Sequence, residues 1–293
     1  MTGLLARRHS GPDAAGRAAL VALLDSPTVE LLPLKSAAAQ IEFLPGGATV
    51  AVTASPAKGL AATVALAESL VARGFRAVPH LSARMVRDRA ELRDLLARIR
   101  DAGIGRIFVV GGDEEEPGPY PDGLSLLREI ADLGLAPAET GIPCYPDGHA
   151  FIGEDALLEA LHAKAAFAAY MTTQLCFDPA KVDAWVRARR ADGLALPVHI
   201  GVPGVTEPQR LLTISARIGV RDTKRFVAKN LGFVARLARS GGFYRPDRFL
   251  AGLAPLAADP GAGVADLHLY TFNAVEPTEA WRRVFLERLR RDA

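Results

Sequence analysis

The chain has 293 residues, 49% of them hydrophobic and 23% charged, which suits a globular protein with a large core and excludes a low-complexity or disordered one. Thirty-five Lys and Arg against 33 Asp and Glu leave a formal charge of +2, too balanced to argue for nucleic acid or a membrane surface as partner. No apolar run is long enough to span a bilayer, and the opening residues (MTGLLARRHSGPDAAGR) lack an apolar segment of signal-peptide length, so the expected location is the cytoplasm.

Residues 1–27 read as a leader: a flexible start, then a short helix around Arg17–Leu24 that Asp25-Ser26-Pro27 ends, because proline disfavours helix in the residue before it. Eight short apolar, β-branched runs follow: Thr28–Pro33, Thr49–Ser55, Arg76–Ala83, Arg106–Asp113, Pro137–Cys144, Tyr170–Phe177, Pro197–Gly204 and Asp266–Asn273. Stretches with helical spacing separate them. The clearest is GLAATVALAESLVARGF, whose apolar residues recur three and four apart and which Gly74 stops. Helices are expected at Arg89–Ala102, Leu124–Leu133, Asp155–Ala166 and Pro179–Asp192. Between the seventh and eighth runs the pattern loosens, with helices expected at Pro208–Ile218, Thr223–Ser240 and near Pro246–Ala257, around a Gly241-Gly242 break. The arginines of Arg187–Arg190 and of the stretch Arg282 to Arg291 read as solvated helix faces.

Eight strands alternating with helices is the count of a (β/α)8 barrel. The expectation is one barrel over 28–293 behind the leader, with an elaborated unit between strands seven and eight. No period of 20–50 residues repeats, which excludes a solenoid. Cys144 and Cys176 lack metal-ligand spacing and read as buried thiols in a reducing compartment, with a disulfide the lesser alternative.

Such barrels place their chemistry at the C-terminal ends of the strands, which here carry Glu30, Thr53, His80, Asp113, Gln174 and Asn273, with His149 just beyond strand five. A glutamate inside an apolar run is either a paired core carboxylate or a general acid. Asp113 is either a turn former or a site anion. A buried glutamine such as Gln174 offers a donor and an acceptor together, which suits the edge of a planar heterocycle. His80 and His149 have no third His or Cys at suggestive spacing, so no metal is expected; neutral hydrogen-bonding histidines fit better. There is no Walker loop and no GxGxxG after the first strand. Gly111-Gly112 permits close approach of a ligand to the backbone. The acidic loop EEEPGPYPDG beyond it, with Tyr120, is long for a strand-to-helix connection and suits binding.

Seven strand ends, in order, resemble the methylenetetrahydrofolate reductase family: VELLPL with Glu30, PHLSARMV with His80, GGD ending in Asp113, YPDGH ending in His149, TQLCFD from Thr173 and Gln174 to Asp178, GVPGV, and HLYTFN over 268–273. The resemblance spans about residues 28–275. It implies reduction of 5,10-methylenetetrahydrofolate to 5-methyltetrahydrofolate by NADH or NADPH. Glu30 would be the proton donor, and Asp113 and Gln174 would bind folate. Thr53, His80, Gly112, Tyr120, His149 and Lys164 would lie on the cofactor side. In the family FAD carries the hydride, but Gly111 stands here in place of an arginine, KAAFAAY in place of a K-x-D-A-G-A segment (with Lys164 one residue short in register), and Ala274 in place of another arginine. Actinobacterial-type members that work without flavin resemble this chain more closely, so both a flavin and a flavin-free route stay open. So do oxidation of methyltetrahydrofolate in a demethylation pathway and a non-catalytic folate-binding role. A homo-oligomer is compatible with all of these.

Overall fold

A computed structural model of the protein describes residues 11–149, 151–207 and 244–292. Eight parallel strands close into a barrel in sequence order: β1 (Thr28–Leu31), β2 (Thr49–Val52), β3 (Arg76–Ser82), β4 (Arg106–Val110), β5 (Glu139–Cys144), β6 (Tyr170–Thr173), β7 (Val198–Pro203) and β8 (Val264–Tyr270). The expected (β/α)8 barrel is the observed fold. β8 closes on β1 with Thr28 opposite His268, and β1 runs beside β2 with Glu30 opposite Ala51.

Alternation along the strands assigns each residue a side. Val29, Leu31, Val50, Val52, Leu81, Ile107, Val109, Ile142, Met171, Val198, Ile200, Val202, Leu267 and Leu269 belong to the main apolar core under the helices. Their neighbours point into the barrel. There Ala51, Val78, Phe108 and Tyr170 form a small apolar cluster, among buried Thr28, Glu30, His80, Thr172, His199 and His268. A polar interior is unusual for a fold whose lumen is generally packed with branched aliphatic side chains. Its lower layer is a chain of contacts. Thr28 Oγ1 donates to Asp266 Oδ2 (2.5 Å), His199 Nδ1 lies 3.8 Å from the same oxygen, and Tyr170 stacks on the His199 ring at 4.2 Å. Gly141 makes room for that tyrosine: a Cβ there would sit 2.3 Å from the Tyr170 ring.

The helices are α1 (Ala14–Asp25), α2 (Ala37–Ile41), α3 (Gly59–Ala72), α4 (Arg89–Asp101), α5 (Gly123–Asp132), α6 (Glu154–Ala165), α7 (Pro179–Ala191), α8 (Asp247–Ala258) and α9 (Val275–Arg291). Sequence-derived starts and stops hold where a cap marks them. Asp88, Asp122 and Asp178 each accept a backbone N–H of the first turn they precede. The single turn α2 was not expected, because AAAQI is too short to show a period. The helices expected at Pro208–Ile218 and Thr223–Ser240, the Gly241-Gly242 break and the start of the leader fall outside the described residues. Of the elaborated unit, α8 lies where Pro246–Ala257 was expected.

The arginine stretches are not simply solvated. Arg282, in α9, is buried and held by Glu279 (2.6 and 2.7 Å), and it also donates to the Leu24 carbonyl at the end of α1. Arg190, at the end of α7, donates to the carbonyls of Leu194, Leu196 and Ala262. Both sit where a helix ends against another segment's unsatisfied carbonyls, which a guanidinium with five donors satisfies well. Cys144 and Cys176 are buried free thiols. No helix among the described residues is long and apolar enough to cross a membrane.

Candidate active site

Above the Asp266 layer, β1, β3 and β8 bring Glu30, His80 and His268 together. All three are more than nine-tenths buried, and one ligand-capable atom of each lies within 4.8 Å of those of the other two. Glu30 faces inward because Val29 and Leu31 take the outer face of a short strand. Its backbone carbonyl accepts from Thr271 Oγ1 (2.6 Å), and its Oε2 lies 3.2 Å from His268 Nε2. His80 packs on Phe108 at 4.7 Å, and burial followed by the charge of His268 lowers its pKa to about 3, so it is neutral at physiological pH. Tyr270, the next inward residue of β8, donates its hydroxyl to the Thr173 carbonyl at 3.0 Å, and burial pushes its pKa well up.

The turn after β8 is strained. Phe272 and Asn273 have φ of 52° and 60°, a left-handed conformation costly for side chains other than glycine. It is held because Asn273 Oδ1 accepts Leu32 N–H (2.8 Å), while its Nδ2 donates to the Leu32 carbonyl and to Ser36 Oγ. Asn273 thus clasps the ends of β1 and β8 beside Glu30, a structural role at a strand end.

The other nominated residues divide. Thr53 Oγ1, His80 Nε2 and Ser82 Oγ, at the ends of β2 and β3, are buried and have no hydrogen-bond partner among the described residues. Gln174 extends β6: its N–H donates to the Cys144 carbonyl (2.8 Å) and its Oε1 accepts from Leu175 N–H (3.0 Å). Asp113 is exposed beyond β4; burial raises the pKa of Tyr145 and lowers that of His149, and the charge of Asp113 adds to the first shift and opposes the second. His149 packs edge-on against Tyr145 at 5.3 Å and, with Tyr145, Leu157, Lys181 and Trp185, lines a cleft of about 320 Å³ beyond β5.

Three nominees have other neighbours. Tyr120 is buried in the main apolar core, within the fields of Glu129 in α5, Arg89 at the start of α4 and Asp88 just before it. Lys164 sits in the last turn of α6, where burial lowers its pKa and Cys144 and Asp122 partly oppose this. Gly112 has φ of +92°, and a Cβ there would lie 2.0 Å from Ser82 Oγ, so the close approach it allows is to Ser82. The acidic loop is pinned: Arg84, from the turn after β3, donates to the carbonyls of Glu114, Glu115 and Pro121. His268 and Tyr270 were missed as site residues. Their signal was the inward alternation of HLY on β8.

Among solved structures, a protein of Burkholderia cenocepacia J2315 provisionally described as a lyase/mutase is 16% identical, with 95% of this chain and 86% of that one covered, at a TM-score of 0.48. The GH18 chitinase ChiB of Flavobacterium johnsoniae is 11% identical (90% and 94% covered, TM-score 0.47), and the dihydropteroate synthase of Thermus thermophilus is 15% identical (89% and 94% covered, TM-score 0.40). At such distances these say nothing of function. The family model described as methylenetetrahydrofolate reductase is different in kind, since it matches residues 34–222, well over half of the chain. With that match covering His80, Asp113, His149 and Gln174, the chain belongs to the methylenetetrahydrofolate reductase family.

Proposed function

We propose that the protein reduces 5,10-methylenetetrahydrofolate to 5-methyltetrahydrofolate with NADH or NADPH as hydride donor, and that Glu30 supplies the proton. The observation that carries this reading is a carboxyl group buried inside the barrel, 3.2 Å from His268 and in one cluster with His80, whose Nε2 has no hydrogen-bond partner among the described residues. The methylene bridge joins two nitrogens. One C–N bond breaks as Glu30 protonates the leaving nitrogen, the other nitrogen becomes an iminium, and hydride from the nicotinamide adds to the methylene carbon. Asp113 would offset the cationic charge from the β4 end, and the free amide NH2 of Gln174 would bind the pterin edge.

The unpartnered atoms of Thr53, His80 and Ser82 suit the edge of one flat polar heterocycle beside the folate. They fit a nicotinamide and its carboxamide. A flavin dinucleotide fits less well. Residue 111 is a glycine where the family has an arginine, and KAAFAAY replaces the family's K-x-D-A-G-A segment, so two parts of the expected flavin site are altered. Our reading is therefore direct hydride transfer to folate. NADH oxidation dependent on methylenetetrahydrofolate, by a purified protein without visible flavin absorption, is the expected result. A yellow protein active only with its flavin would overturn the direct route. Glu30→Gln should lower kcat by about 100-fold or more while folate still binds; turnover near that of the wild type would remove Glu30 from the role.

A further inference from the structure

Of the three groups that meet at the barrel centre, the folate reading gives Glu30 the proton and His80 a place at the nicotinamide edge, and leaves His268 without a part. Glu30, His80 and His268 come from β1, β3 and β8, and no spacing along the chain links them. Glu30 Oε2 and His268 Nε2 are 3.2 Å apart, and each group's ligand-capable atom lies within 4.8 Å of the other two. His80 Nε2 is buried without a hydrogen-bond partner among the described residues, although such atoms are nearly always satisfied by protein, water or an ion. Phe108 packs against the His80 ring and Tyr270 against that of His268, at 4.7 and 4.8 Å, which limits how the imidazoles can turn. The Tyr270 hydroxyl is engaged by the Thr173 carbonyl.

Two imidazoles and one carboxylate are the ligand set that transition cations such as zinc take, with a position left open. Magnesium and calcium prefer oxygen alone. We propose that Glu30, His80 and His268 bind one divalent cation of the zinc class at the centre of the barrel. In a tetrahedral site with bonds of about 2.0–2.1 Å, ligand atoms stand roughly 3.3 Å apart. The Glu30–His268 pair already meets that spacing, and His80 needs only a small movement. The cation would occupy the carboxylate that must carry the proton in the folate reading, so the loaded protein should be inhibited and a chelator should restore it. The binding itself does not rest on that reading.

The test uses the full chain, stripped with chelator, without folate or nicotinamide. Titration with Co(II), read by its visible d–d bands, and with Zn(II), read by calorimetry, should give one ion per chain. His80→Gln and His268→Gln should each weaken binding by tenfold or more, whereas His162→Gln, at an exposed position of α6, should not. Should His268→Gln fail to fold, two measurements still decide. His80→Gln removes a ring whose Nε2 has no hydrogen-bond partner among the described residues, and a zinc-soaked crystal shows by anomalous scattering where the ion sits. An anomalous peak between the three side chains supports the site. Absence of stoichiometric binding, undiminished binding in His80→Gln, or a peak elsewhere overturns it.

Discussion

At the scale of single residues, Gly112 has a structural reason that only packing reveals. A glycine pair after an apolar strand suggested room for a ligand. The backbone at Gly112 is left-handed and lies against Ser82, where a Cβ would meet Oγ at 2.0 Å. Gly112→Ala should therefore cost about 2–4 kcal/mol of stability, from the strained φ and the clash together. Ser82→Ala in the same chain should recover the clash part, so a double-mutant cycle by urea unfolding should show coupling. Additive effects would contradict the contact. Glu30 was legible because a charge inside an apolar run demands a reason. His268 was not, because its partner Glu30 is 238 residues away and only strand closure brings them together.

At the scale of elements, the strands and the long helices were legible because their periods differ, and Gly or Asp marks their ends. The single turn α2 and the role of α9 were not. α9 carries its apolar face at Trp281, Phe285, Leu286 and Leu289, but its register against α1 depends on Arg282, buried between Glu279 and the Leu24 carbonyl. An arginine in a basic stretch reads as solvated, and only the packing of the two helices reveals it as buried. Removing Arg282 leaves the buried Glu279 carboxylate with only the more exposed Arg283 (2.9 Å) and the Leu24 carbonyl without its donor, so Arg282→Met should destabilise by about 3 kcal/mol. Changing Glu279 to Leu as well should return much of that loss. Thermal unfolding of the two variants checks this; a double variant no more stable than the single one would mean that Arg282 acts mainly by capping α1.

At the scale of the whole molecule, a barrel with a polar lumen is coupled to pH. Alternation could tell which residues face inward, but not that three histidines from β3, β7 and β8 would share one interior. Burial first, then the charge of His268, holds the pKa values of both His80 and His199 at about 3, against 6.5 for a free imidazole. Between those values the unfolded chain binds protons that the folded one refuses. Stability is therefore complete above pH 6.5 and is lost as pH falls toward 3, at about 1.4 kcal/mol per pH unit for each histidine. Asp266, whose pKa burial raises, works the other way: it is protonated sooner in the folded state, which returns part of the loss at acid pH. Urea midpoints in chelator-containing buffer should be flat from about pH 8 to 7. They should then fall by about pH 5 to an extent equivalent to about 4 kcal/mol from the two imidazoles. His199→Gln should remove about half of that dependence while leaving the folate site intact. An unchanged midpoint at that acid pH, or an undiminished slope in His199→Gln, would show that the lumen histidines take up protons without unfolding the barrel.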